Sequence, residues 1–159
     1  MTTALAAKCG ARRVYVATAQ VFDDEMAAKV RRHRIQRGED WTTREVPLDV
    51  PEALNDLTAQ DVLLLDCATL WITNLLLADR DVAAEEARLV AALKVAKAPV
   101  FIVSNEVGQG IVPDNALSRQ FREAQGRLNQ ALAAEVDHVV AVIAGLPLAL
   151  KGPLPDGAL

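Results

Sequence analysis

The sequence predicts an α/β protein: a parallel sheet with helices on both faces. Three observations predict it. Short, continuous apolar runs recur along the chain, as in strands buried on both faces. Longer segments with helical spacing separate them. Strand and helix alternate, an order that parallel crossovers require.

The elements follow in order. "RRVYVATAQ" (Arg12–Gln20) is rich in β-formers and reads as a strand running into a loop. "DVLLLDC" (Asp61–Cys67), "APVFIVSNE" (Ala98–Glu106) and "DHVVAVIAG" (Asp137–Gly145) repeat the pattern, so four strands are expected in one sheet. Asp23 can cap a helix over "DEMAAKVRRHRIQR", with acids in its first turn and arginines in its last, as the helix dipole favours. Helices are also expected over Thr69–Arg80, Val82–Lys97 and Asn115–Val136. "MTTALAAKCG" resembles the last turns of a helix that closes at Gly10. Residues 1–150 read as one domain, and the Gly- and Pro-rich tail at 151–159 as a frayed end.

Composition narrows the class. The 159 residues are 52% apolar but only 4% aromatic, so Ala, Val, Leu and Ile must supply the core. A net charge of −4 gives no general reason to expect nucleic acid as a partner. Arg31, Arg32, Arg34 and Arg37 form the densest basic cluster and the natural place for an anion. Cys9 and Cys67 form no CxxC, and Cys67 ends an apolar run, so a buried, reduced thiol is expected there. No apolar stretch approaches the ~20 residues of a membrane span, and no leader pattern is seen; the expectation is a soluble, cytoplasmic protein.

In a parallel α/β sheet, ligands bind at the carboxyl ends of the strands. Asp66 closes the run Val62–Leu65. An acid there either holds a magnesium ion beside a phosphate or simply ends a strand. "SNEVGQGIVP" (Ser104–Pro113) sets two glycines after a strand, where backbone can approach a ligand, or forms an ordinary connection. His33 shares a helical stripe with Met26 and Val30, which directs it towards the body of the protein. Such a histidine is more often packed than catalytic. Its neighbours Arg32 and Arg34, however, suit a grip on phosphates, and an imidazole there suits attack on a nucleotide α-phosphate. Trp41 and Trp71 read as packing. Arg119, Arg122 and Arg127 read as a solvated helix face.

Together, "YVATAQVFDDEMAAKVRRHRIQR", "WTTREVP", "LLLDC-x-T-L-W-I-T-N-L", "VSNEVGQGIVP" and "FREAQGRLNQALA" resemble one family, in the family's order, from Ala4 to about Lys151. It is the bifunctional adenosylcobinamide kinase / adenosylcobinamide-phosphate guanylyltransferase family of cobalamin biosynthesis. The resemblance implies a P-loop NTPase-like fold and a homotrimer. It implies phosphorylation of adenosylcobinamide by a nucleoside triphosphate, GTP or ATP, with Mg2+. It then implies transfer of GMP from GTP to the resulting phosphate through a guanylyl-histidine, and the position matching that histidine is His33. The matching nucleotide contacts are Ala17, Thr18, Ala19, Arg34, Ile35, Gln36, Arg37, Glu45 and Asp66, with Asp66 also on the metal. The family's G-x-x-x-x-G-K-S loop and the strand before it have no counterpart in these residues, so the expected fold lacks its first strand and Walker A loop. A non-catalytic nucleotide- or corrinoid-binding protein is the alternative. A simple P-loop kinase fits less well, because phosphoryl transfer needs no histidine nucleophile.

Overall fold

The computed structural model describes residues 2–7, 9, 12–20 and 23–155. Its elements in chain order are α1 (Thr2–Ala7), β1 (Arg12–Ala17), α2 (Asp24–Arg37), β2 (Trp41–Glu45), α3 (Val50–Asn55), β3 (Asp61–Asp66), α4 (Ala68–Leu77), α5 (Val82–Val95), β4 (Val100–Val103), α6 (Ala116–Glu135), β5 (Val139–Ile143) and β6 (Leu146–Lys151). Four strands form a parallel sheet in the order β2-β1-β3-β4. Gly10, where the sequence predicts α1 to close, and residues 156–159 of the tail lie outside the described residues.

Side-chain alternation along the strands divides the core in two. Val14, Val16, Leu63 and Leu65 join the larger cluster, with Leu54, Trp71, Ile72, Leu75, Leu89 and Leu128 from α3, α4, α5 and α6. Tyr15, Val62 and Leu64 face the other way, with Trp41 and Ala6 of α1. Both faces thus carry helix, as expected. Both tryptophans pack: Trp71 is fully buried and its indole N–H donates to the Leu48 carbonyl at 2.7 Å. Trp41 meets Tyr15 edge-on at 6.3 Å between ring centroids. Cys67 is buried and free, and its Sγ caps α4 by accepting from the Leu70 N–H.

One strand assignment needs correction. The run at Val139–Ile143 does not join the parallel sheet. It pairs antiparallel with β6 in a separate hairpin. The turn is Ala144-Gly145, both at positive φ (52° and 80°), the conformation a two-residue hairpin of this hand requires. Lys151 tethers the hairpin by donating to the Ala133 and Ala134 carbonyls near the end of α6, where helix carbonyls lack partners and a cation is favoured. The sheet's remaining member is instead β2, "WTTRE", at the edge. An edge strand buries few residues, and here only Trp41 is fully covered. No apolar run marks it.

At the amino end of β3, Asp61 is buried. It accepts from the Thr58 N–H (2.8 Å) and hydroxyl (2.7 Å) and from Arg12 Nε (3.0 Å). The Thr58 donors, then Arg12, hold its carboxyl below the usual carboxylate value. A depressed pKa stabilises the fold above the ordinary carboxylate range, and the contribution is lost as pH falls through the folded value. Asp61→Asn is expected to cost about 1–3 kcal/mol at neutral pH and to flatten the acid limb of a stability-versus-pH curve from urea melts.

Candidate functional site

Strand register lines up the carboxyl edge of the sheet. Ala17 stands opposite Glu45 on one side and Asp66 on the other, and Asp66 stands opposite Val103. Three residues singled out from sequence, Glu45, Ala17 and Asp66, therefore form one row across three strands. Glu45 is exposed; Ala17 and Asp66 are half-buried.

The loops leaving this row are braced by Thr18. Its buried hydroxyl donates to the Cys67 carbonyl (2.8 Å) and accepts from the Cys67 N–H (2.9 Å). Its carbonyl accepts from Asn74 Nδ2 at 2.8 Å, and the same amide reaches the Pro47 carbonyl at 2.9 Å. One asparagine on α4 thus ties the exits of β1 and β2 together. Ala19 follows, half-buried, in the loop.

Asp66 points to the same face as Val62 and Leu64, where Tyr15 meets it. The Tyr15 hydroxyl donates to Asp66 Oδ2 at 2.6 Å. The guanidinium of Arg37 lies over the Tyr15 ring, 3.5 Å from its centroid, a cation–π contact. Arg37 Nη2 also donates to Thr43 Oγ1 of β2 at 2.7 Å, while its Nε is buried without a partner. Burial pulls the Arg37 pKa below the usual guanidinium value, and it remains a cation. Burial first, then the bond to Asp66, pushes Tyr15 above the ordinary phenol range. Tyr15 is the chain's single tyrosine, so an absorbance titration at phenolate wavelengths reads it alone. Ionisation should begin well above the usual tyrosine range and coincide with loss of the fold. The sign follows: with the folded pKa raised, stability holds below the unfolded value, about 10, and falls as pH climbs beyond it. Tyr15→Phe should remove that alkaline fall.

The helix α2 forms as its ends dictate. Asp23 caps it by accepting from the Met26 N–H at 2.7 Å, Asp24 and Glu25 occupy the first turn, and Arg34 and Arg37 the last. Gly38 follows at φ 83°, a left-handed position that favours glycine. His33 lies one turn before Arg37, about 6 Å along the axis. It is exposed, not directed into the protein body as the stripe with Met26 and Val30 suggests. The reason is compositional. The second half of α2 is mostly arginine, its one large apolar residue, Ile35, is 81% exposed, and no described residue of the helix is buried. Arg34 is exposed too. The side chain of Gln36 lies outside the described set.

The 104–113 loop is exposed but anchored. The Asn105 N–H donates to Thr69 Oγ1 at 2.8 Å, and Asn129 Nδ2 reaches the Asn105 carbonyl at 3.2 Å. Glu106 Oε1 accepts from the Gly108 N–H at 2.7 Å, and a Cβ on Gly108 would meet that oxygen at 2.8 Å. Of the arginines of α6, Arg119 and Arg127 are exposed, as expected of a solvated face, and Arg122 is half-buried, but each is engaged. Arg119 donates to the Pro113 and Asp114 carbonyls, and Arg122 to that of Gly108. Arg127 pairs with buried Glu86.

Sequence reasoning missed Tyr15, Thr43 and Asn74. A signal for Tyr15 existed: counted back by alternation from Ala17, it faces the same side as an acid ending the neighbouring parallel strand. Among the described residues no group of three or more His, Cys, Asp or Glu is poised for a metal. Asp66 offers a single carboxylate with one oxygen occupied by Tyr15. That suits a cation whose other ligands come from phosphate and water, as magnesium's usually do.

Fold and edge define a parallel α/β protein whose polar side chains converge at the carboxyl ends of its strands. The family model for cobinamide kinase / cobinamide phosphate guanyltransferase matches residues 1–150, and the chain belongs to that family. It is 41% identical over 151 residues to the bifunctional adenosylcobalamin biosynthesis protein CobP of Pseudomonas aeruginosa, covering 93% of this chain and 87% of the relative. It is 40% identical over 154 residues to the bifunctional adenosylcobalamin biosynthesis protein CobU of Escherichia coli, covering 87% of this chain and 85% of the relative. Its identity to the protein of that name from Salmonella typhimurium is 39%, over the same shares. No helix among the described residues is long and apolar enough to cross a membrane.

Proposed function

We propose that this chain works in cobalamin biosynthesis on a P-loop NTPase-like fold. It phosphorylates adenosylcobinamide with GTP or ATP and transfers GMP from GTP to the product through a guanylyl-histidine on His33. The observation that carries the reading is the position of His33: exposed, amid arginines, one turn from the Arg37–Tyr15–Asp66 cluster.

The transfer has two balanced halves. An imidazole nitrogen of His33 attacks the α-phosphorus of GTP, a P–N bond forms, and the P–O bond to pyrophosphate breaks. A phosphate oxygen of adenosylcobinamide phosphate then attacks the same phosphorus. The P–N bond breaks and a diphosphate forms, giving adenosylcobinamide-GDP. Arg34 and Arg37 supply positive charge where the phosphates sit. Ala17, Thr18, Ala19, Ile35, Gln36 and Glu45 complete the nucleotide site, with Thr18 acting through the loop it braces. Asp66 would hold Mg2+, which when bound offsets phosphate charge. The enzyme acts as a homotrimer in the cytoplasm.

Incubation with Mg2+ and GTP labelled in the α-phosphate tests the transfer. Protein-bound label that is stable to base and lost in acid is expected, as for a phosphoramidate. With adenosylcobinamide added as acceptor, label in the γ-position should instead appear in the corrinoid. Absence of α-label overturns the guanylyl-histidine.

A further inference from the structure

The sheet acid and the helix carrying His33 are joined by one side chain. Tyr15 donates its hydroxyl to Asp66 Oδ2 at 2.6 Å and offers its ring face to the Arg37 guanidinium at 3.5 Å. Its own position is set by the sheet: it pairs in register with Thr43 and Leu64, is buried, and is held edge-on by Trp41. Arg37 is also held by Thr43, to which its Nη2 donates. On α2, Arg37 and His33 are four residues apart and share a face.

We propose that Tyr15 is a positioning residue for the guanylyl transfer: its hydroxyl aims the Asp66 carboxylate, and its ring seats Arg37, so that one side chain sets the spacing between the acid on the sheet and the basic end of the helix bearing His33. The inference rests on the guanylyl-transfer reading. Its physical basis is a division of labour within the phenol. The hydroxyl restricts rotation of Asp66 and leaves one carboxylate oxygen for a cation. The ring holds the cationic end of α2 through its π-face, which a phenyl ring retains and an aliphatic side chain does not. The two functions are therefore separable by substitution.

The test uses N-methylanthraniloyl-GTP as a fluorescent probe, titrated onto the wild-type chain, Tyr15→Phe and Tyr15→Leu across a range of Mg2+ concentrations. Tyr15→Phe should raise the half-saturating Mg2+ by about tenfold, the usual cost of losing a partner that orients a metal-binding carboxylate, and leave Mg2+-free binding close to wild type. Tyr15→Leu should show the same Mg2+ shift and also weaken Mg2+-free binding, because Arg37 has lost its seat. Thermal melts of each variant provide the second readout. A fall in melting temperature with wild-type Mg2+ dependence would reduce Tyr15 to packing and overturn the proposal. So would Mg2+ dependence and affinity unchanged in both variants. A wild-type chain that binds the probe but takes no α-label overturns the guanylyl-histidine, while the Tyr15 comparison still reads out on binding. A wild-type chain that does not bind the probe overturns both.

Discussion

Substitution of His33 by asparagine is expected to lower α-label on the protein to background, a loss of at least about 10³-fold, as removal of a nucleophile does. The change should leave the fold intact. His33 is exposed on a helix with no buried described residue, and surface substitutions usually shift stability by no more than about 0.5 kcal/mol. Melting curves and nucleotide binding should therefore match the wild type while covalent labelling disappears. That combination separates lost chemistry from lost structure. Label persisting in His33→Asn would place the nucleophile elsewhere. The second histidine is a poor substitute: His138 Nδ1 lies 2.9 Å from the Pro153 carbonyl, at the base of the hairpin.

Trp71→Ala is expected to have the largest effect on stability, about 3–5 kcal/mol. The indole is fully buried in the larger core, among side chains from four helices and the sheet. Its removal leaves a cavity and takes away the donor to the Leu48 carbonyl. Against a total stability of about 5–15 kcal/mol, such a loss leaves little margin. Urea unfolding should show a lower midpoint with an unchanged slope. Trp71→Phe, which keeps most of the volume, should lose less. A loss below about 1 kcal/mol for the alanine variant would contradict this account of the core.

Much of this architecture is legible in the sequence, and the reasons are local. Asp23 capping α2, the helical segment of α6 and the apolar run of β3 each announce themselves locally. The strand β2 does not, because its "TTRE" is polar, exposed or half-buried at the sheet edge, and only Trp41 carries an apolar signal. The run at Val139–Ile143 misleads for the opposite reason. It has the apolar content of a buried strand, but the tight turn at Ala144-Gly145 sends it into a local pairing. At the site, Asp66 and the basic stretch after His33 stand out by residue type. The exposure of His33 does not, since spacing along a helix says which residues share a face, not whether anything covers that face. Tyr15 acquires its role only through a neighbouring strand and a helix beyond it, and such a meeting is set by tertiary structure.

The separate hairpin gives the chain two very different clocks. Ile143 finds Leu146 across a two-residue turn, a closure that takes about 1–10 μs. Val14 must find Leu63 through an intervening helix, strand and helix, the kind of non-local pairing that slows folding towards milliseconds and beyond. The same contrast should mark the native state. Amide protons of β5 and β6, in strands with no fully buried residue, should exchange with solvent through local opening. Those of β3, buried between two neighbours, should exchange only when the whole sheet comes apart.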